Sequence, residues 1–128
     1  MQKDFDEWNE YKKKIDTSTA LPSYREGEIW WCSLGINVGS EQNGTGYGFT
    51  RPMLITRGFS RELVWAVPLT TTFKKNFYYV PLGIIRGMNS AAVISQLRII
   101  DIRRFTFKHA SIDMQKLEEV KNALRGML

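Results

Sequence analysis

The 128 residues are 43% apolar and 24% charged, which describes one ordinary globular domain long enough to bury a core without disulfides or a structural metal. One cysteine, Cys32, excludes an intrachain disulfide, and with one histidine, His109, a His/Cys zinc cluster is excluded as well. The net charge of +5 is unevenly spread: residues 1–50 hold 5 basic and 8 acidic side chains, residues 51–108 hold 10 and 2, and the remainder hold 3 and 3. A basic middle of that kind is the electrostatic footprint of a polyanion partner, although a solvated basic surface would look the same in composition.

In chain order, residues 3–16 place Phe5, Trp8 and Ile15 near one face of a short amphipathic helix, and Pro22 ends it. This start is too acidic for a signal peptide, and no run of 18 or more apolar residues follows, so a cytoplasmic protein with no membrane association is expected. Residues 28–34, bounded by Gly27 and Gly35, are rich in β-formers and predict a buried strand. The next stretch, 35–50, carries five glycines among Ser, Asn and Thr and predicts a long loop. Further strands are expected at 52–57, 63–69, 77–82 and 91–100, with Pro68 and Pro81 near strand ends where a missing donor is tolerated. Ser111 is the expected N-cap of a closing helix, along which Met114, Leu117, Val120, Leu124 and Met127 repeat at helical spacing. Asp113 and Arg125 complement its dipole.

The expected fold is therefore mainly β with helices: a small antiparallel barrel with a C-terminal helix and an N-terminal helical extension. Residues 1–128 are expected to form a single domain, with 1–23 as the extension and 24–128 as the core.

Several segments carry a more specific signal. Gly27-Glu28-Ile29-Trp30-Trp31, Gly39-Ser40-Glu41-Gln42, Arg51-Pro52, Pro68-Leu69-Thr70 and Ser95-Gln96-Leu97-Arg98-Ile99-Ile100-Asp101 occur in this order before the closing helix. Together they resemble the MazF/PemK-like toxins of type II toxin-antitoxin systems over about residues 25–125, and the resemblance implies that the small barrel is SH3-like (MazF/PemK/CcdB-like). The resemblance implies a sequence-specific endoribonuclease that cleaves single-stranded RNA without metal or cofactor. In that chemistry the substrate's 2′-hydroxyl attacks the adjacent phosphate, leaving 2′,3′-cyclic phosphate and 5′-hydroxyl ends. It also implies a homodimer neutralised by a cognate antitoxin, with DNA bound only as the antitoxin complex.

Carried onto this chain, the resemblance assigns Arg51 as the catalytic cation, since a guanidinium offers a rigid fork of donors to phosphate oxygens. Thr70 becomes a hydroxyl donor to the same developing charge. Glu41 is the nearby carboxylate placed to take the 2′-hydroxyl proton. Gln42, Tyr47, Thr71, Lys74, Lys75, Gln96 and Arg98 are assigned to RNA contact. On a strand, Gln96 and Arg98 would face one way, and Lys74 and Lys75 would occupy a turn. Each assignment has a structural alternative: Arg51 pairing Glu41, Thr70 as an ordinary strand residue, Gln96 and Arg98 holding a dimer together. His109, distant in sequence from every motif, is expected to be a surface residue.

Two departures from the family pattern stand out. The Gly44–Gly48 stretch lengthens the loop before Arg51, and Ser95 stands where some members carry an acidic residue, so an acid-base scheme built on that carboxylate does not transfer. Two other function classes remain open on sequence: a protein-binding toxin resembling the gyrase poisons on the same barrel, and a non-catalytic nucleic-acid-binding module.

Overall fold

A computed structural model describes residues 23–34 and 50–127; the expected N-terminal helix and the loop with Glu41, Gln42 and Tyr47 lie outside them. The described chain is mainly β. Its strands are β1 (Glu28–Ser33), β2 (Thr50–Gly58), β3 (Leu63–Thr70), β4 (Tyr79–Ile85), β5 (Met88–Val93), β6 (Arg98–Asp101) and β7 (Phe105–Ser111), followed by the helix α1 (Met114–Met127). The strands form one curled antiparallel sheet in the order β4-β5-β3-β2-β1-β7, with β6 also on β3. The path ends at β4 and β7, so the expected barrel is realised as an open, half-closed sheet.

Two departures from the expected strands have clear causes. The expected strand 91–100 is broken, because β3 shares one edge between two partners. Leu69 lies opposite Ala92, and an unbroken strand would set Val64 opposite residue 97; Val64 instead pairs with Ile100, a slip of three residues. The three-residue 3-10 turn Ile94–Gln96 takes up that slip, with Ile94 buried and its N–H donating to the Tyr78 carbonyl at 2.9 Å. The second departure is β7, which no expected strand covers. It pairs with β1 through two register irregularities, a poor fit to a regular period-two pattern.

The alternation of strand residues feeds two cores. One face presents Ile29, Leu54, Val67 and Leu69, and α1 covers part of it with Leu117 and Val120. The opposite face presents Cys32, Met53, Ile55, Val64 and Ala66, against which the sheet folds its own Ile100, Ile102 and Phe105. Deep burial pushes the Cys32 thiol up to about 12 despite the nearby Arg98 cation.

The helix begins two residues later than a Ser111 cap would place it. Asp113 is the cap: its carboxylate accepts the Lys116 N–H at 2.8 Å, a charge-assisted version of the bond a serine would make. Arg125 lies in the last turn as expected. The hairpin joining β4 and β5 turns on Arg86 (φ 49°) and Gly87 (φ 85°), a pair of left-handed residues matching the sheet's twist.

Candidate functional site

The site forms where β2 begins and β3 ends. The β2–β3 ladder pairs Met53 with Pro68. Continued by two residues, this register sets Arg51 level with Thr70 on one face of the sheet. The contacts agree: Arg51 Nη2 donates to the Leu69 carbonyl at 3.4 Å, and Arg51 Nη1 donates to Gln96 Oε1 at 3.2 Å. Among the described residues no carboxylate pairs with this guanidinium. Partial burial pulls its pKa down from the ordinary arginine range, yet arginine stays charged at neutral pH. The result is a half-buried cation that no carboxylate among the described residues compensates, with N–H groups of its fork left beyond these two bonds.

Thr70 Oγ1 is tied into a local turn, donating to the Thr72 carbonyl at 3.0 Å and accepting the Thr72 N–H at 3.1 Å. The accepted bond fixes the oxygen. The donated proton can swing from the carbonyl to a stronger acceptor, because a hydroxyl rotor costs little to turn. Thr70 therefore stands level with Arg51 in the β2–β3 register, with its hydroxyl oxygen anchored and its proton free to turn.

On the other side of Thr70 a cavity of about 400 Å³ opens on the α1 face, beyond the part the helix covers. Trp31, Pro52 and Leu69 form its floor, Ile85 and Met88 of the β4–β5 hairpin form a wall, and Thr70 and Thr71 form the rim. Arg51 does not line it, since strand alternation turns its side chain to the face opposite Pro52. Thr70 is the residue common to the cation and the cavity.

His109 also lines this cavity, which corrects its expected place on the open surface. Its half-buried ring stands edge-on to Trp31 at 5.6 Å, and the Trp31 indole N–H donates to His109 Nδ1 at 3.1 Å. Burial and the Arg86 cation hold the His109 pKa below the ordinary histidine value. Distance in sequence concealed the juxtaposition, because β1 and β7 are neighbours in the sheet although 78 residues separate Trp31 from His109. Period-two alternation gave no signal, since Phe105 packs on Trp30 while Phe107 and His109 meet Trp31.

The remaining expected contacts are spread more widely. Gln96 sits in the 3-10 turn and not on a strand, so the expected shared face with Arg98 does not exist; Gln96 turns to Arg51, while Arg98 opens β6 opposite Ala66. Thr71 is exposed at the cavity rim. Lys74 and Lys75 are exposed in the turn after β3, as expected. Part of the basic excess is consumed locally: Arg103 is bound to Asp101 at 2.6 Å and Lys108 to Glu28 at 3.2 Å. Among the described residues no three His, Cys, Asp or Glu side chains group as metal ligands, and no helix is long and apolar enough to cross a membrane.

A family model described as PemK-like, MazF-like toxin of type II toxin-antitoxin system matches residues 25–128. The chain belongs to this toxin family. No curated protein matches it in sequence. Among solved structures, the fold is similar to a MazE-MazF complex from Deinococcus radiodurans (TM-score 0.63, 23% identity, covering 81% of this chain and 94% of that one). It is also similar to an endoribonuclease from a mycobacterial species (TM-score 0.62, 16% identity, covering 83% and 91%). A third neighbour is a mycobacterial endoribonuclease in complex with its cognate antitoxin (TM-score 0.60, 19% identity, covering 81% and 93%). At these identities the likeness speaks for the fold; membership of the toxin family rests on the family match. The Arg51-Pro52 and Pro68-Leu69-Thr70 segments that carried the sequence resemblance are those that build the meeting point of β2 and β3.

Proposed function

We propose that this member of the toxin family is an endoribonuclease that cleaves single-stranded RNA at the junction of β2 and β3. The convergence of the Arg51 guanidinium on the end of β3, beside Thr70, carries the reading. In the proposed reaction the 2′-oxygen of one nucleotide forms a bond to the adjacent phosphorus. The P–O5′ bond breaks, the leaving 5′-oxygen takes up a proton, and the proton of the 2′-hydroxyl passes to a base. Charge accumulates on the non-bridging oxygens between these events, so donors fixed before the reaction lower the barrier most.

Arg51 supplies such donors. Gln96 and the Leu69 carbonyl hold its fork by two N–H groups, and the rest of the fork addresses the phosphate. Thr70 adds a hydroxyl whose oxygen is already anchored by the Thr72 N–H. Glu41 is the proposed base, on the loop that precedes β2. The exposed Lys74 and Lys75, with Arg98 on β6, extend the positive field along which RNA would lie, with Gln42, Tyr47 and Thr71 as further contacts. The proposed assembly is a homodimer silenced by an antitoxin with an acidic segment; two of the similar structures are toxins solved with their antitoxins.

The test is incubation of the purified protein with a long RNA in EDTA. Discrete fragments ending in 2′,3′-cyclic phosphate and 5′-hydroxyl are expected from the wild type and absent from Arg51→Ala. Intact RNA with folded wild-type protein rejects the reading.

A further inference from the structure

We propose that His109 reads one unpaired base next to the scissile phosphate, acting as a fixed, uncharged hydrogen-bond donor that Trp31 holds in a single tautomer. The inference rests on the ribonuclease reading for the identity of its ligand, and on the cavity for everything else.

The tautomer follows from the partner. An indole N–H can only donate, so at 3.1 Å from Trp31 Nε1 the His109 Nδ1 must be the acceptor, and the one proton of the neutral ring belongs on Nε2. Protonating Nδ1 would bring two N–H groups head to head. Trp31 cannot easily turn away, because its ring stacks on Phe107 at 6.1 Å and 26°. The local field acts in the same direction, since burial and Arg86 on the β4–β5 turn both disfavour the imidazolium. Lys108, next in sequence, pairs with Glu28, and strand alternation turns it to the other face. His109 is thus neither a base nor a cation at neutral pH, and its Nε2–H is a donor.

The cavity suits a base better than a phosphate. Trp31, Pro52, Leu69, Ile85 and Met88 give it an apolar lining, and the residues that line it besides these and His109 are Thr70, Thr71 and Ser90. None of these carries a charge; Arg86 acts on His109 from the β4–β5 turn but does not line the cavity, so a phosphate inside would meet no cation among the lining residues. A flat heterocycle with carbonyl or ring-nitrogen acceptors fits both the lining and the donor. A volume of about 400 Å³ also falls within the range of small-ligand sites. Thr70, at the end of β3, both lines the cavity and stands level with Arg51, so the proposed path of the RNA runs from the guanidinium around the strand end to the cavity on the other face.

The chain's single histidine makes the test direct. Long-range 15N–1H correlation spectra of the full protein should show the Nε2–H tautomer. Adding a randomised single-stranded 2′-deoxy oligonucleotide, which offers bases but no attacking hydroxyl, should shift the His109 ring and Trp31 indole signals. In parallel, sequencing the 5′ ends of a digested RNA should show that His109→Phe, which keeps an edge-on ring beside Trp31, lowers preference by roughly 10-fold at one position flanking the cut. The other positions should keep theirs. His109→Asn, which retains an N–H donor, should recover part of the preference.

Unchanged preference in a His109→Phe variant that still cuts, or histidine signals unmoved by saturating oligonucleotide, overturns the proposal and leaves the ribonuclease reading intact. Signals that respond to protein dilution instead of oligonucleotide assign the cavity to contact between copies and overturn it too. A wild type that binds but cuts no RNA overturns the ribonuclease reading alone, and the proposal is then decided by the binding spectra.

Discussion

Replacing Arg51 by alanine separates catalysis from stability more cleanly than any other single change. The side chain makes two hydrogen bonds, of 3.2 Å to Gln96 and 3.4 Å to the Leu69 carbonyl, from a half-buried position. Both are long, and water can replace the lost donors at the exposed Gln96 end. Their loss should cost about 1–2 kcal/mol in all, or a fall in Tm of roughly 5 °C. Catalysis should suffer far more, because each donor removed from a developing oxyanion typically costs about 100- to 1,000-fold in rate. Arg51→Lys keeps the charge but loses the fork, so it should fall between the alanine variant and the wild type. The assay is initial-rate cleavage of a fluorescent RNA reporter beside a thermal melt and an RNA-binding isotherm. An alanine variant that cuts within about tenfold of wild type, whatever its melt, would refute the reasoning, since the guanidinium would then stabilise no transition-state charge.

Four further outcomes are expected. Trp31→Phe keeps an aromatic face for Phe107 but removes the N–H that fixes His109, so the histidine pKa should rise toward its ordinary value of about 6.5. Neutral His109 is the binding form, so lowering the pH should erode the variant's base preference at a higher pH than the wild type's, as cleavage profiles between pH 5 and 8 would show. The wild type's depressed histidine pKa also has a stability consequence. The unfolded chain takes the proton first, so the contribution is complete above about pH 6.5 and is lost as pH falls toward the folded-state value, which melts across that window would show. RNA affinity should weaken with salt: if about five phosphates are neutralised, log affinity should fall against log salt with a slope near −3.5, and Arg51→Ala should flatten that slope by about 0.7. Finally, Cys32, fully buried with its thiol pushed up to about 12, should resist a thiol reagent at pH 8 until the protein is unfolded, as a colorimetric thiol assay would show.

Much of the fold was legible because local signals and tertiary demands agree. The run Glu28–Ser33 between glycines, the Leu63–Thr70 strand and the closing helical stripe all fold where periodicity places them. Departures arise where a partner far along the chain decides. Nothing in the apolar run from Ala91 to Ile100 announces that β3 divides its edge between two strands; the break at Ile94–Gln96 is imposed by the three-residue slip. The helix start illustrates a closer contest, in which Ser111 and Asp113 are both good caps. Asp113 wins because β7 runs through Ser111, whose backbone is already paired with Glu28.

The site was legible to the same extent. Arg51 and Thr70 belong to adjacent strands, so strand order and register suffice to bring them together once β2 and β3 are recognised. Gln96 was marked for the right neighbourhood on the wrong backbone, since a turn can aim its amide at Arg51 where a strand would have aligned it with Arg98. His109 was misplaced because its meaning depends on β7 closing against β1, which the sequence patterning of β7 reveals poorly.

The central claim is that the RNA supplies its own nucleophile and the protein supplies the donors that stabilise the transition state. Two otherwise identical RNA substrates, one with a single 2′-deoxy substitution immediately 5′ to the cut phosphate, test it most directly. The account predicts cleavage of the unmodified strand to a 2′,3′-cyclic phosphate and none at the substituted position. Cutting of the substituted strand at the same bond would contradict it, because the attacking oxygen would then have to come from water.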